Sequence, residues 1–136
     1  MLPLMVLALA VILLDQASKR WIHAFPERAF ALGSMVRVHC VVNRNRIYGR
    51  AGTRIAMVAL WPLALGSAAV LYLHGLYFQG SLALPGLTLA FAGSASNLAD
   101  ILRRRSIVDL IDLGWWPVFN VADIAIVVGL AAALYR

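Results

Sequence analysis

Ile55 to Ala99 reads IAMVALWPLALGSAAVLYLHGLYFQGSLALPGLTLAFAGSASNLA, 45 consecutive residues without an Asp, Glu, Lys or Arg. A helix needs roughly 20 residues to cross the hydrocarbon core of a bilayer, so the run holds about two spans and must turn back once. The polar and glycine patch Gly75, Gln79, Gly80 and Ser81 marks that turn. It predicts helices over about 55–77 and about 82–103. Pro62 falls inside the first and Pro85 near the start of the second, where neighbouring helices and the bilayer tolerate them.

Outward from this pair the same composition continues. Val118 to Tyr135 carries one charge, Asp123, and Met1 to Leu14 carries none, which predicts further spans over about 118–135 and 1–22. Ala8-Leu9-Ala10 has the small-x-small form of a cleaved signal sequence, but no Lys or Arg precedes the apolar stretch, so it reads as a first span. The whole chain of 136 residues is 62% apolar and 13% charged, against about a quarter charged in a soluble domain. Its natural solvent is therefore lipid. A lone Cys40 excludes an intramolecular disulfide framework and a Cys-rich zinc site. Between the first two spans a polar, Arg-rich cap covers about 23–54, and its segment Met35 to Val42 is β-branched and partly alternating, which predicts a strand. The expected fold class is an all-α membrane protein of one domain, 1–136, with four transmembrane helices and a small β-containing cap between the first and second.

Eleven of the twelve Lys and Arg residues lie with the two polar loops, and only Arg136 lies at the opposite end of the spans. Taken alone, the positive-inside bias would put the loop face in the cytoplasm. Basic residues beside spans have a lipid surface as their simplest partner, so no nucleic-acid role is expected despite the net charge of +6.

Carboxylates in or beside spans are costly and therefore informative. Asn97 and Asp100, three apart at the end of the third helix, share a face. Asn120 and Asp123 repeat the spacing at the start of the fourth, and Asp109 and Asp112 fall in a loop between. Each has a plain structural reading. Arg103 or Arg104 could neutralise Asp100 along the helix, and Asn120 could cap the fourth helix with Asp123 in its first turn. What sets the group apart is convergence of two Asn-x-x-Asp pairs and Asp109 at one membrane depth. Two carboxyl groups that meet in a partly dry site share a proton, so that one can act as base toward water while the other donates to a carbonyl oxygen. Other chemistries are weaker. Asp109, Asp112 and Asp123 could hold a hard divalent cation, but arginines compete. His39 and Cys40 point to opposite faces of a strand. Ser94 and Ser96 have no nearby histidine and suit close helix packing. A small transport subunit using Asp123 is a further alternative, although the acids cluster at one end of the spans.

These residues resemble the lipoprotein signal peptidase (signal peptidase II) family of membrane aspartic peptidases. Asp15-Gln16-Ala17-Ser18-Lys19 is similar to the family's Asp-Gln-x-Thr/Ser-Lys block. Asn97-Leu98-Ala99-Asp100 followed by Asp109 is similar to its Asn-x-x-Asp and Val-Val-Asp blocks at the same spacing. Phe119-Asn120-Val121-Ala122-Asp123 is similar to its Phe-Asn-x-Ala-Asp. The resemblance covers nearly the whole chain. It implies that Asp109 and Asp123 are the catalytic dyad, and that Asn43, Gly49, Asn97, Asp100, Asn120, Asp15 and Lys19 bind substrate or support the site. It further implies a substrate whose lipobox cysteine carries a diacylglyceryl group, cut on the N-terminal side of that cysteine, with no metal and no organic cofactor. The implied setting is a monomer among phospholipids of the bacterial inner membrane, termini in the cytoplasm and active site at the outer leaflet. That orientation is the one expected here, because ordered motifs bear on it more specifically than the arginine bias.

The chain also departs from the family pattern. Asn45 and Arg46 stand where small residues normally follow Asn43, and Tyr48 precedes Gly49. Ser96 and Arg105 stand for glycines, and Ile101 for an arginine whose charge Arg103 or Arg104 could supply. A relative that binds lipidated peptides without cleaving them is the alternative these departures raise.

Overall fold

The computed structural model describes residues 1–25, 30–32, 35–43 and 51–135. Among these residues four helices, α1 (Leu2–Ala24), α2 (Ala51–Leu73), α3 (Ala83–Arg104) and α4 (Val121–Leu134), carry a three-stranded antiparallel sheet of β1 (Phe30–Leu32), β2 (Val36–Asn43) and β3 (Ile107–Asp112) in the order β1-β2-β3.

Two helices have the length and apolar composition to cross a bilayer, Leu2–Ala24 and Ile55–Leu73. Their apolar side chains face outward: Leu2, Met5, Leu9 and Leu73 are more than half exposed. A soluble fold would bury them, so these are lipid-facing surfaces. The other two differ for evident reasons. α3 ends in Asp100, Arg103 and Arg104, and α4 has only 14 residues, roughly 21 Å of helix. The turn falls where it was expected, since α2 ends at Leu73 and α3 starts at Ala83, with Gly75 at φ +67° between them. Pro62 lies inside α2 and Pro85 in the first turn of α3.

The sheet corrects the expected cap. It is not built only from residues between the first two helices, because β3, from the segment between α3 and α4, pairs along β2 with Asp109 opposite Val41 and Ile107 opposite Asn43. Asp109 and Asp112 thus lie on a strand and not in a loop. The pairing is non-local, and a six-residue strand between two helices carries little pattern of its own. Alternation along β3 sends Val108 and Leu110 into a small core with Ile22 of α1, flanked by Val38 and Cys40, and Asp109 to the opposite face. Gly49, Asn45, Arg46 and Tyr48 lie outside the described residues.

The helical core is a seam of small residues. A Cβ on Gly86 would sit 2.4 Å from the backbone nitrogen of Ala133, and one on Gly93 would sit 2.5 Å from the Ala122 carbonyl oxygen. α3 and α4 therefore meet backbone to backbone. Against this pair α1 lays one stripe, Val11, Asp15, Lys19 and Ile22. Two members of that buried stripe are charged.

Candidate active site

Asp15 and Lys19 are fully buried, one helical turn apart, where α1 meets the end of α3 and the start of α4. Charges taken out of water need partners on every side, and here they have them. The Lys19 ammonium lies 2.6 Å from Asp15 Oδ2 and 2.7 Å from Asp100 Oδ2, and donates to Asn97 Oδ1 at 3.0 Å. The ammonium thus lies among three oxygens, two of them charged. Arg104 stands 3.7 Å from Asp100, as expected along the helix, but more loosely than the lysine. Asp15 Oδ2 also accepts from Ser96 Oγ at 2.7 Å, and Asp15 Oδ1 accepts the Ala122 backbone N–H at 2.9 Å. The first helix thereby satisfies a donor at the open N-terminus of α4.

The same N-terminus is closed locally by Asn120, whose Oδ1 accepts the Asp123 N–H at 3.0 Å while Asp123 Oδ2 accepts the Asn120 N–H at 3.1 Å. This reciprocal capping box is the plain structural reading of Asn120 and Asp123. It holds, and it does not exhaust their contacts. Asp123 Oδ1 accepts from Asn97 Nδ2 at 2.8 Å. Asn120 Nδ2 donates to Asp109 Oδ1 at 2.8 Å and approaches Asn97 Oδ1 at 3.3 Å. One residue, Asn120, touches both carboxylates, Asp109 through its side chain and Asp123 through its backbone. The chain between them doubles back to permit this. Ile111 and Phe119 form a bridge, and Gly114, at φ +78°, donates its N–H to Asp112 Oδ1 at 2.7 Å. A left-handed turn of this kind favours glycine.

Of the residues singled out in the sequence, Asp15, Lys19, Asn97, Asp100, Asp109, Asn120 and Asp123 thus fall into one connected hydrogen-bonded network. Asn43 ends β2, and Gly49 lies outside the described residues. Asp112 turns to Gly114, and among the described residues no group of three or more His, Cys, Asp or Glu side chains is placed to hold a metal ion. Gln16 and Ser96 were missed. Gln16 Nε2 donates to Asp100 Oδ1 at 3.1 Å and to Ser96 Oγ at 3.0 Å. Their only signal was position, Gln16 inside the Asp15 block and Ser96 beside Asn97. Burial separates the two carboxylates further, since Asp109 is 6% exposed and Asp123 is half-buried. Asp123 lines an apolar groove of about 370 Å³ that runs past Trp115, Trp116 and Phe119 to Ile124 and Val127.

A family model described as signal peptidase (SPase) II matches residues 7–136. The chain belongs to the signal peptidase II family. It is 33% identical over 129 residues to a lipoprotein signal peptidase of Syntrophomonas wolfei subsp. wolfei, covering 89% of this chain and 83% of that one. It is also 33% identical over 135 residues to a lipoprotein signal peptidase of Moorella thermoacetica, covering 95% and 88%. Among solved structures, a bacterial membrane enzyme determined at 1.9 Å by the in meso method superposes with a TM-score of 0.79 at 20% identity, over 96% of this chain and 88% of that one. At that identity the match speaks for the fold. As a signal peptidase II family member the chain is a membrane peptidase.

Proposed function

We propose that the protein is an aspartic endopeptidase that removes the signal peptide from diacylglyceryl-modified lipoprotein precursors, with Asp109 and Asp123 as its dyad. The observation that carries this reading is Asn120, one side of which holds Asp109 and the other Asp123. Two carboxyl groups kept together can share one proton. The ionised member takes a proton from water as the oxygen attacks the scissile carbonyl carbon, and the protonated member donates to the carbonyl oxygen. Collapse of the tetrahedral species returns a proton to the leaving amine. No covalent enzyme intermediate, metal or organic cofactor enters these steps.

The surroundings suit a substrate held in lipid. The groove at Asp123 is apolar and opens along α4, where Val127 is 68% exposed, so a lipid-anchored peptide can reach Asp123 sideways. Trp21, Trp115 and Trp116 are exposed at this end of the helices, which fits a headgroup-level belt. In this reading all four helices cross the inner membrane, the termini are cytoplasmic, the carboxylates face the outer leaflet, and the enzyme works as a monomer. A reporter fused after Arg136 checks the orientation: activity of a cytoplasm-dependent reporter is expected, and activity only of a periplasm-dependent one overturns it.

The dyad is tested with purified protein and a synthetic diacylglyceryl precursor. Asp109→Asn and Asp123→Asn are each expected to abolish cleavage while accumulating in membranes at native levels. Native turnover by either variant removes that residue from the dyad.

A further inference from the structure

Resting on that dyad, we propose that Lys19 is a positioning residue of the reaction: its ammonium fixes the Asn97 amide with nitrogen toward Asp123, and so fixes the carboxylate that Asn97 holds. The two ends of an asparagine amide are nearly the same shape, and only their partners decide which way the group faces. Asn97 lies between a donor and an acceptor. Lys19 carries donors alone, so the end that meets it at 3.0 Å has to be the oxygen. The nitrogen then points the other way, to Asp123 Oδ1 at 2.8 Å.

Neutralising Asp15 and Asp100 does not account for this contact. Those two carboxylates lie at 2.6 and 2.7 Å from the ammonium as ion-pair partners. Its hydrogen bond at 3.0 Å goes instead to a neutral oxygen, on a residue that reaches Asp123. The Asn120 amide, 3.3 Å away, leans on the same oxygen while holding Asp109 at 2.8 Å. One buried cation thus orders Asn97 directly, and both carboxylates take their side-chain amide bonds from groups that meet at its oxygen. Without the ammonium, a rotated Asn97 would set its carbonyl oxygen against the Asp123 carboxylate, two acceptors with no proton between them.

The difficulty in testing this is that Lys19→Met alone strands Asp15 and Asp100 and can fail to fold. The triple variant D15N/K19M/D100N removes the three charges together with little change in side-chain volume. In the full-length protein in detergent it is expected to unfold at close to the native temperature. Its kcat on the diacylglyceryl precursor should fall about tenfold or more, as when an outer partner that orients a working group is lost, with KM within about twofold. The Asn97 side-chain amide signals in a ¹⁵N-labelled sample should broaden or shift in parallel. A folded triple variant with native kcat overturns the proposal, as does a fall in kcat with Asn97 signals unmoved. Lys19→Arg decides the matter if the triple variant does not accumulate. It keeps the charge beside both carboxylates while its planar fork displaces the single contact to Asn97, so the same loss in kcat at constant KM is expected and native turnover overturns the proposal. A wild-type chain that never cleaves the precursor sinks the peptidase reading instead, which keeps the two failures apart.

Discussion

The seam between α3 and α4 and the flank occupied by α2 are built to different tolerances. At the seam a Cβ on Gly129 would lie 2.6 Å from the Ala90 nitrogen and 2.6 Å from the Gly86 carbonyl oxygen. At the flank α2 stands away from its neighbours, with an apolar cavity of about 510 Å³ on one side and about 320 Å³ on the other. Trp61 bridges the gap by meeting Phe91 edge to face at 5.9 Å, and its buried indole nitrogen has no acceptor among the described residues. The carboxylates and the amides that hold them come from α1, α3, β3 and the start of α4. Every one of these elements belongs to the tight half, and among the described residues α2 contributes none of the network.

The contrast is broken most severely by emptying the ion cluster that ties α1 to the seam. Lys19→Met as a single change leaves Asp15 buried without a cation and Asp100 with only the looser Arg104 at 3.7 Å. The expected cost is about 3–5 kcal/mol of stability, read from unfolding titrations in mixed micelles. A smaller loss, about 1–3 kcal/mol, is expected of Gly129→Ala, because the added methyl meets backbone atoms and the helices have to part. Since α4 carries Asp123, that separation should also lower turnover, and a Gly129→Ala variant as stable and as active as the native chain would mean that the seam is looser than its geometry.

How much of this was legible in the sequence follows from the range of each interaction. The turn between α2 and α3 and a strand over Met35 to Val42 are legible in runs of neighbouring residues, and both are present, the strand as Val36–Asn43. Asp100 was paired in advance with Arg103 or Arg104, since helical spacing sees only the same helix. Its closest cation is Lys19, far away along the chain, and no local rule could have joined them. Asp109 reads as a loop residue for the same reason, because β3 exists only as a partner of β2. Asn120 and Asp123 teach something different. Capping and membership of the polar cluster read as rivals along the sequence, yet Asp123 does both: the capping box holds its Oδ2 while Asn97 holds its Oδ1.

A change of opposite sign is expected at the end of α3. Arg105 ends that helix at φ +56°, a left-handed conformation that costs a residue with a side chain about 1–2 kcal/mol and costs glycine almost nothing. The family pattern resembled by this chain has glycine there. Arg105→Gly is expected to stabilise the protein by about 1 kcal/mol, seen as a rise in unfolding temperature with cleavage unchanged.

The smallest effect belongs to the flank, and it is the sharpest control. Ala68 of α2 lines both cavities. Ala68→Leu therefore adds carbon atoms to open space, where Gly129→Ala adds one against backbone. In a bilayer the gain comes from contacts made inside the protein and not from leaving water, because lipid tails are as apolar as leucine. The expected stabilisation is accordingly only about 0.5 kcal/mol, with turnover within error of the native value. If Ala68→Leu instead costs as much as Gly129→Ala, α2 is held as tightly as the seam. If it leaves stability intact but slows cleavage, the space beside α2 is used by the substrate, and the passive wall becomes part of the working site.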